Sequence, residues 1–138
     1  MKNFDYSKIP LGYYDEVIKS GQSIQRAWHW QKFHNVKKML SANKGESIID
    51  IGCFGGTFLS HLNQTEFPVQ LGVDILSEQI EYAQKTYGSE FRKFQYIENI
   101  SKLSKLNYQF DNVTLIEVIE HLNQEEISNI FESIINIT

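Results

Sequence analysis

Apolar side chains recur at helical spacing through residues 22–42, at Ile24, Trp28, Phe33, Val36 and Leu40, while Lys32, Lys37 and Lys38 fall on the side left to water. Lys44-Gly45 ends that run. The residues ahead of it, with Pro10, Gly12 and Tyr13-Tyr14, read as a turn-rich loop closing at Gly21. Beyond residue 46 the texture changes. Residues 47–53, Ser-Ile-Ile-Asp-Ile-Gly-Cys, form a short β-branched run that suits a strand buried on both faces. Phe58, Leu59 and Leu62 predict a helix over 57–64, and Val-Gln-Leu-Gly-Val-Asp predicts a second strand over 69–74. Ser77 stands where it can cap a helix over 78–87 carrying Ile80, Ala83 and Tyr87. A weaker third strand is expected over 91–97, a loop over 98–109 and the strongest late strand over 112–118. Asn123 with Glu126 is a helix-start signature, followed by the stripe Ile127, Ile130, Phe131 and Ile134.

Strand and helix alternate, so the pattern predicts an α/β fold, a doubly wound parallel sheet preceded by an amino-terminal helix. Two regions follow: a loop and helical arm over 1–45, and the sheet domain over 46–138. Ligands of such sheets bind beyond the carboxyl ends of the strands. That places the candidate site at 50–56, Asp74, 98–100 and 117–121.

Composition narrows the function classes. At 138 residues and 41% hydrophobic the chain is the size of one globular domain, and no apolar run approaches the ~18 residues of a membrane span. No charged stretch leads into an apolar one at the amino terminus, so cytoplasm is the expected compartment and no membrane partner is expected. Cys53 is the sole cysteine, too few for an internal disulfide or a thiolate zinc set. Charge is uneven, with net +5 over 1–45 and −9 over 46–138. The basic arm suits an acidic substrate such as a sugar phosphate, a nucleotide-linked sugar or RNA, or is simply a solvated helix face. The acidic remainder argues against nonspecific duplex binding, so an RNA partner draws no support from net charge.

The stretch Asp50-Ile51-Gly52-Cys53-Phe54-Gly55-Gly56 joins a predicted strand to a predicted helix, the setting of a cofactor loop, and the helix start favours an anion. It is not the dinucleotide fingerprint, which needs glycine where Phe54 and Thr57 stand, nor a P-loop, which needs Gly-Lys-Ser/Thr. Asp74 ends the second strand, where a carboxylate can accept both ribose hydroxyls, so a nucleoside ligand is expected. In the blander alternative Asp74 caps the next turn and the glycines serve a tight connection.

These residues resemble motif I of class I S-adenosylmethionine-dependent methyltransferases, written D-x-G-C-G-x-G, and residues 47–122 follow that family's order. Asp74 matches its ribose-binding acid, Asn99-Ile100 falls where the family reads adenine, and Phe110-Asp111 matches the Phe-Asp that opens strand four. The departure is Phe54, whose ring must turn away from the methionine part or pack against it. The resemblance implies a Rossmann-like sheet, strands 1 to 4 of a seven-stranded fold, with S-adenosyl-L-methionine as cofactor. It implies cofactor contacts from Asp50, Gly52, Cys53, Phe54, Gly55, Gly56, Asp74, Asn99 and Glu117, with Ile75 and Ile100 about the adenine.

Glu117-Val118-Ile119-Glu120-His121 follows the fourth strand. Glu117, Glu120 and His121 can be read as three ligands of a divalent cation, His121 with Glu120 as catalytic acid–base groups, or the segment as positioning the cofactor. The segment resembles the Glu-x-x-Glu-His of small-RNA terminal 2′-O-methyltransferases, and equally that of ubiquinone-type and sugar O-methyltransferases. Arg26, Trp28 and His29 are candidate acceptor contacts, although paired tryptophans such as Trp28 and Trp30 more commonly serve packing. The family's fifth strand would begin where the chain ends, so a carboxyl-terminally truncated fragment, or a homodimer pairing along the open edge of strand four, is expected. The expected function is methylation of an oxygen on a small molecule or sugar precursor. The alternatives are a non-catalytic cofactor-binding or interaction fragment and an RNA terminal 2′-O-methyltransferase.

Overall fold

The strand β1 (Ser47–Ile51) is buried at every position because it has a neighbour on each side and helices over both faces. A computed structural model describes residues 8–40, 45–106 and 108–138. It shows a four-stranded parallel sheet in the order β3-β2-β1-β4, with β2 Val69–Asp74, β3 Arg92–Tyr96 and β4 Asn112–Thr114. Helices α1 (Tyr13–Ser20), α2 (Ser23–Met39), α3 (Thr57–Ser60), α4 (Ser77–Tyr87) and α5 (Gln124–Ile135) complete the doubly wound arrangement.

Alternation along β1 divides the core. Ile48 joins Phe33, Phe58, Leu59, Ile80 and Phe94 on one face, while Ile49 and Ile51 join Val73, Leu103, Phe110, Ile130 and Ile137 on the other. The Phe110-Asp111 pair ties strand starts together: Phe110 is buried, and Asp111 Oδ2 accepts from the Ser47 backbone N–H at 2.7 Å and its hydroxyl at 2.8 Å. Beneath the sheet, the buried Arg92 donates to Gln70 Oε1 at 2.7 Å and to the Leu62 carbonyl at 2.8 Å, joining β2, β3 and the segment after α3.

Several elements differ from the sequence-based expectation. Residues 13–20 form α1 rather than loop, because Asp15 is drawn inward to accept from Thr57 Oγ1 at 2.9 Å and the Tyr82 hydroxyl at 2.7 Å. The third helix is one turn long, closed by the shorter bonds His61 N–H to Phe58 O and Leu62 N–H to Leu59 O, yet Phe58, Leu59 and Leu62 are buried as the pattern requires. Leu76, not Ser77, is the cap position of α4, and Asp74 Oδ1 accepts the Leu76 N–H at 2.9 Å. The loop after β3 contains a 3₁₀ segment, Ile100–Lys105, with Leu103 buried. The fourth strand stops at Thr114, and Glu117 beyond it is left-handed at φ 57. The start of α5 is as expected: Asn123 accepts from Glu126 N–H at 3.0 Å while Glu126 Oε2 accepts from Asn123 N–H at 2.8 Å. Among the described residues no helix is long and apolar enough to cross a membrane.

Gly56 begins α3 at φ 78, and a Cβ there would lie 2.6 Å from Phe94 Cε1 and 3.0 Å from Ala83 Cβ. Gly56→Ala therefore combines backbone strain with overpacking and is expected to cost about 2 kcal/mol or more. Urea unfolding should show a lower midpoint at unchanged slope; a midpoint equal to wild type would show that the loop repacks freely.

Candidate functional site

Three strand ends open into one cleft. Asp50, the penultimate residue of β1, is buried and accepts from Thr114 Oγ1 of β4 at 2.7 Å. Burial pushes its carboxyl up to about 7; the Thr114 bond opposes that rise and the neighbouring Asp74 charge adds to it. After Ile51 the chain turns through Gly52 at φ 77, and the Gly52 and Cys53 N–H groups both donate to the Val73 carbonyl, at 2.8 and 3.1 Å. A side chain at Gly52 would overlap the Val118 methyl, so glycine lets the loops after β1 and β4 approach each other.

Asp74 ends β2 and fastens this loop. Its Oδ2 accepts from Phe54 N–H at 2.8 Å and its Oδ1 from Leu76 N–H at 2.9 Å. Burial raises its pKa against those backbone bonds. Phe54 is itself left-handed at φ 49, and its ring meets that of Tyr14 edge-on at 5.5 Å.

The roof comes from the amino-terminal helices. Tyr14 of α1 and Lys32 and Phe33 of α2 line the cleft together with the glycine loop. Lys32 Nζ donates to Glu117 Oε2 at 2.8 Å, and the Tyr14 hydroxyl reaches the same oxygen at 3.4 Å. The periodicity of α2 assigned Lys32 to water; the structure corrects this, since its side chain retains 15% exposure. Lys32 precedes the buried Phe33 on the flank of the helix that overhangs the loops after β1 and β4.

The cleft, about 210 Å³, gathers Asp50, Gly52, Cys53, Phe54, Asp74, Ile75, Glu117 and His121 among the residues singled out in the sequence. Gly55 and Gly56 lie behind the loop at the start of α3, outside the lining. From β3 it is Ile97 that reaches the cleft; Asn99 does not line it, and the side chain of Ile100 lies outside the described residues. Glu120 also stands outside, with His121 Nε2 at 4.0 Å from its Oε1. Of the amino-terminal candidates, Arg26 is exposed and Trp28 is 67% exposed, both off the cleft. Trp30 is half-exposed and stacks on His34 at 4.9 Å, so neither indole serves the core as packing would require. His29 sits one layer behind, its ring 5.0 Å from that of Tyr14, and burial followed by the Lys32 charge lowers its pKa against the pull of Glu117.

The expected cation set of Glu117, Glu120 and His121 is not assembled. Among the described residues no three His, Cys, Asp or Glu side chains are placed to hold a metal ion, and the Glu117 carboxylate is paired with an ammonium instead. The residues missed from sequence are Tyr14, Lys32 and Asp15. Only the Tyr-Tyr-Asp run beside Gly12 marked Tyr14 and Asp15, and nothing in its spacing aims them at the sheet.

A model described as a methyltransferase domain matches residues 24–137. An O-methyltransferase from Pyrenophora dematioidea is 29% identical over 128 residues, covering 88% of this chain and 47% of its own length. Among solved structures, magnesium protoporphyrin IX methyltransferase from Synechocystis PCC 6803, with bound S-adenosylhomocysteine, aligns with a TM-score of 0.69 at 24% identity, over 91% of this chain and 61% of its own. A TehB-like SAM-dependent methyltransferase from Corynebacterium glutamicum aligns at 0.68 with 18% identity, over 90% and 62%. At these identities the structural likeness is one of fold. The chain spans about half the length of the curated relative it matches.

The raised Asp50 carboxyl has a measurable consequence. Between its ordinary 3.8 and about 7, the folded chain keeps a proton that the unfolded chain has released. Stability therefore falls as pH rises across that window and levels off above it. Asp50→Asn keeps an acceptor for the Thr114 hydroxyl while removing the titration. Urea midpoints from about pH 5 to about pH 8 should decline less steeply in the variant than in wild type, and parallel curves would place the titration elsewhere.

Proposed function

The chain belongs to the methyltransferase domain family, the class I S-adenosylmethionine-dependent methyltransferases, and on that premise we propose that it binds S-adenosylmethionine in this cleft and methylates an oxygen of a small molecule or sugar. The observation that carries the reading is Asp74, a carboxylate at the carboxyl end of β2 beside a glycine loop that it holds by Phe54 N–H. A carboxylate has about four acceptor positions, and the backbone bonds from Phe54, Leu76 and Ile75 leave one for a ribose hydroxyl. Ile75 and Ile97 give the neighbouring wall the apolar character that a purine face requires. The name of the Pyrenophora dematioidea relative supports oxygen as the acceptor atom.

S-adenosylmethionine supplies a methyl group on a sulfonium sulfur, open to in-line displacement. What remains for the chain is alignment, exclusion of water and removal of a proton. Tyr14, Phe33 and Phe54 close an apolar wall over the cleft, which keeps water from competing with the acceptor. His121 is the lining imidazole, and a hydroxyl approaching from that side can pass its proton to it. Asp50 lies too deep to meet an acceptor and serves by holding β1 to β4 through Thr114.

Calorimetric titration with S-adenosylhomocysteine tests the reading. Wild-type protein should bind it, and Asp74→Ala should weaken binding by about tenfold or more while circular dichroism stays native. Folded wild-type protein that gives no binding heat, or equal affinity in the variant, would sink this assignment.

A further inference from the structure

Among the described residues Lys32 is the only lysine or arginine lining the cleft, and its ion pair is lopsided. Its ammonium lies 2.8 Å from Glu117 Oε2, 4.9 Å from the centre of the Tyr14 ring and 5.0 Å from that of Phe33. Lys32 is the inner partner at 15% side-chain exposure, and Glu117 the outer one at 39%. Glu117 reaches its place from a left-handed backbone at φ 57, a conformation unfavourable for any residue with a Cβ. The two partners differ in what separation would do to them. Released, Glu117 turns into water and its backbone is free to relax, whereas Lys32 would be left charged among aromatic rings and requires another anion. The lowered pKa of His29 keeps that ring neutral near pH 7, so it does not compete as a cation.

We propose that Lys32 is the oxyanion anchor of the cleft, and that the Glu117 carboxylate holds the place of a carboxylate that a ligand brings. This rests on reading the cleft as the S-adenosylmethionine site. An ammonium with three donors and rings on its flanks suits a carboxylate entering from the open side. Two sources carry that chemistry: the amino-acid tail of the cofactor and an acidic group on the acceptor. The same pairing explains why Glu117 is withdrawn from any cation set with Glu120 and His121.

The test titrates S-adenosylhomocysteine and 5′-methylthioadenosine, the same thionucleoside without the amino-acid tail, into wild type, Lys32→Met and Lys32→Arg. Benzoate is then titrated into protein saturated with S-adenosylhomocysteine. Circular dichroism checks folding, with Lys32→Gln as the substitute should Lys32→Met not fold. Loss of about tenfold or more in affinity for S-adenosylhomocysteine, against no more than about twofold for methylthioadenosine, with recovery in Lys32→Arg, identifies the cofactor tail as the anion. Unchanged nucleoside binding, with benzoate held by the wild-type complex and lost in Lys32→Met, identifies the acceptor instead. If Lys32→Met alters neither S-adenosylhomocysteine nor benzoate binding, the anchor is overturned. Should wild-type protein bind neither nucleoside, the cofactor reading fails by itself, and benzoate titrated into unliganded protein decides the anchor: Lys32-dependent binding keeps it, no binding overturns it.

Discussion

Two backbone N–H groups, those of Phe54 and Leu76, converge on the carboxylate of Asp74, and the form of the sheet edge depends on that convergence. One belongs to the turn leaving β1 and the other to the turn leaving β2. A single side chain therefore ties the two loops together. The Val73 carbonyl reinforces it by accepting from Gly52 and Cys53 N–H. With the loops so held, the side of the cleft between them is set by the backbone.

Holding a cleft open in this way has a cost that is concentrated at its walls. Asp50 and Asp74 are both buried and both displaced upward in pKa, each mainly by loss of water. Phe54 and Glu117 are the non-glycine residues with positive φ among the described residues, and both line the cleft against Tyr14. Unfavourable backbone and unfavourable charge thus coincide in a small region, while the strands behind it are conventional apolar packing. That distribution is what a site maintained for binding looks like when the core carries the stability.

How much of this was legible in the sequence follows from the range of the interactions involved. The buried strand at 47–51, the second strand, the parallel doubly wound sheet and the Asn123–Glu126 capping box are set by residues close in sequence, or by an alternation that leaves few topologies, and they were readable. The helix at 13–20 was not, because its formation depends on Asp15 finding Thr57 and Tyr82 far along the chain. Lys32 was misplaced because helical periodicity separates apolar from polar positions but cannot distinguish water from a polar cleft. The strand over 112–118 was drawn too long because β-branched residues continue past Thr114, and the left-handed turn at Glu117 carries no glycine to announce it. Trp28 and Trp30 were the opposite case, aromatic residues whose size suggested a core they do not enter.

Cys53 sits in the middle of the glycine loop, buried, with its Sγ 3.7 Å from the Phe54 carbonyl. Burial first, then the charges of Asp50 and Asp74, push its thiol upward, so the reactive thiolate is scarce while the loop is shut. It is also the chain's sole cysteine. Its alkylation by a small reagent in excess is therefore limited by how often the thiol is exposed, so a single side chain reports the local stability of the segment that carries the glycines.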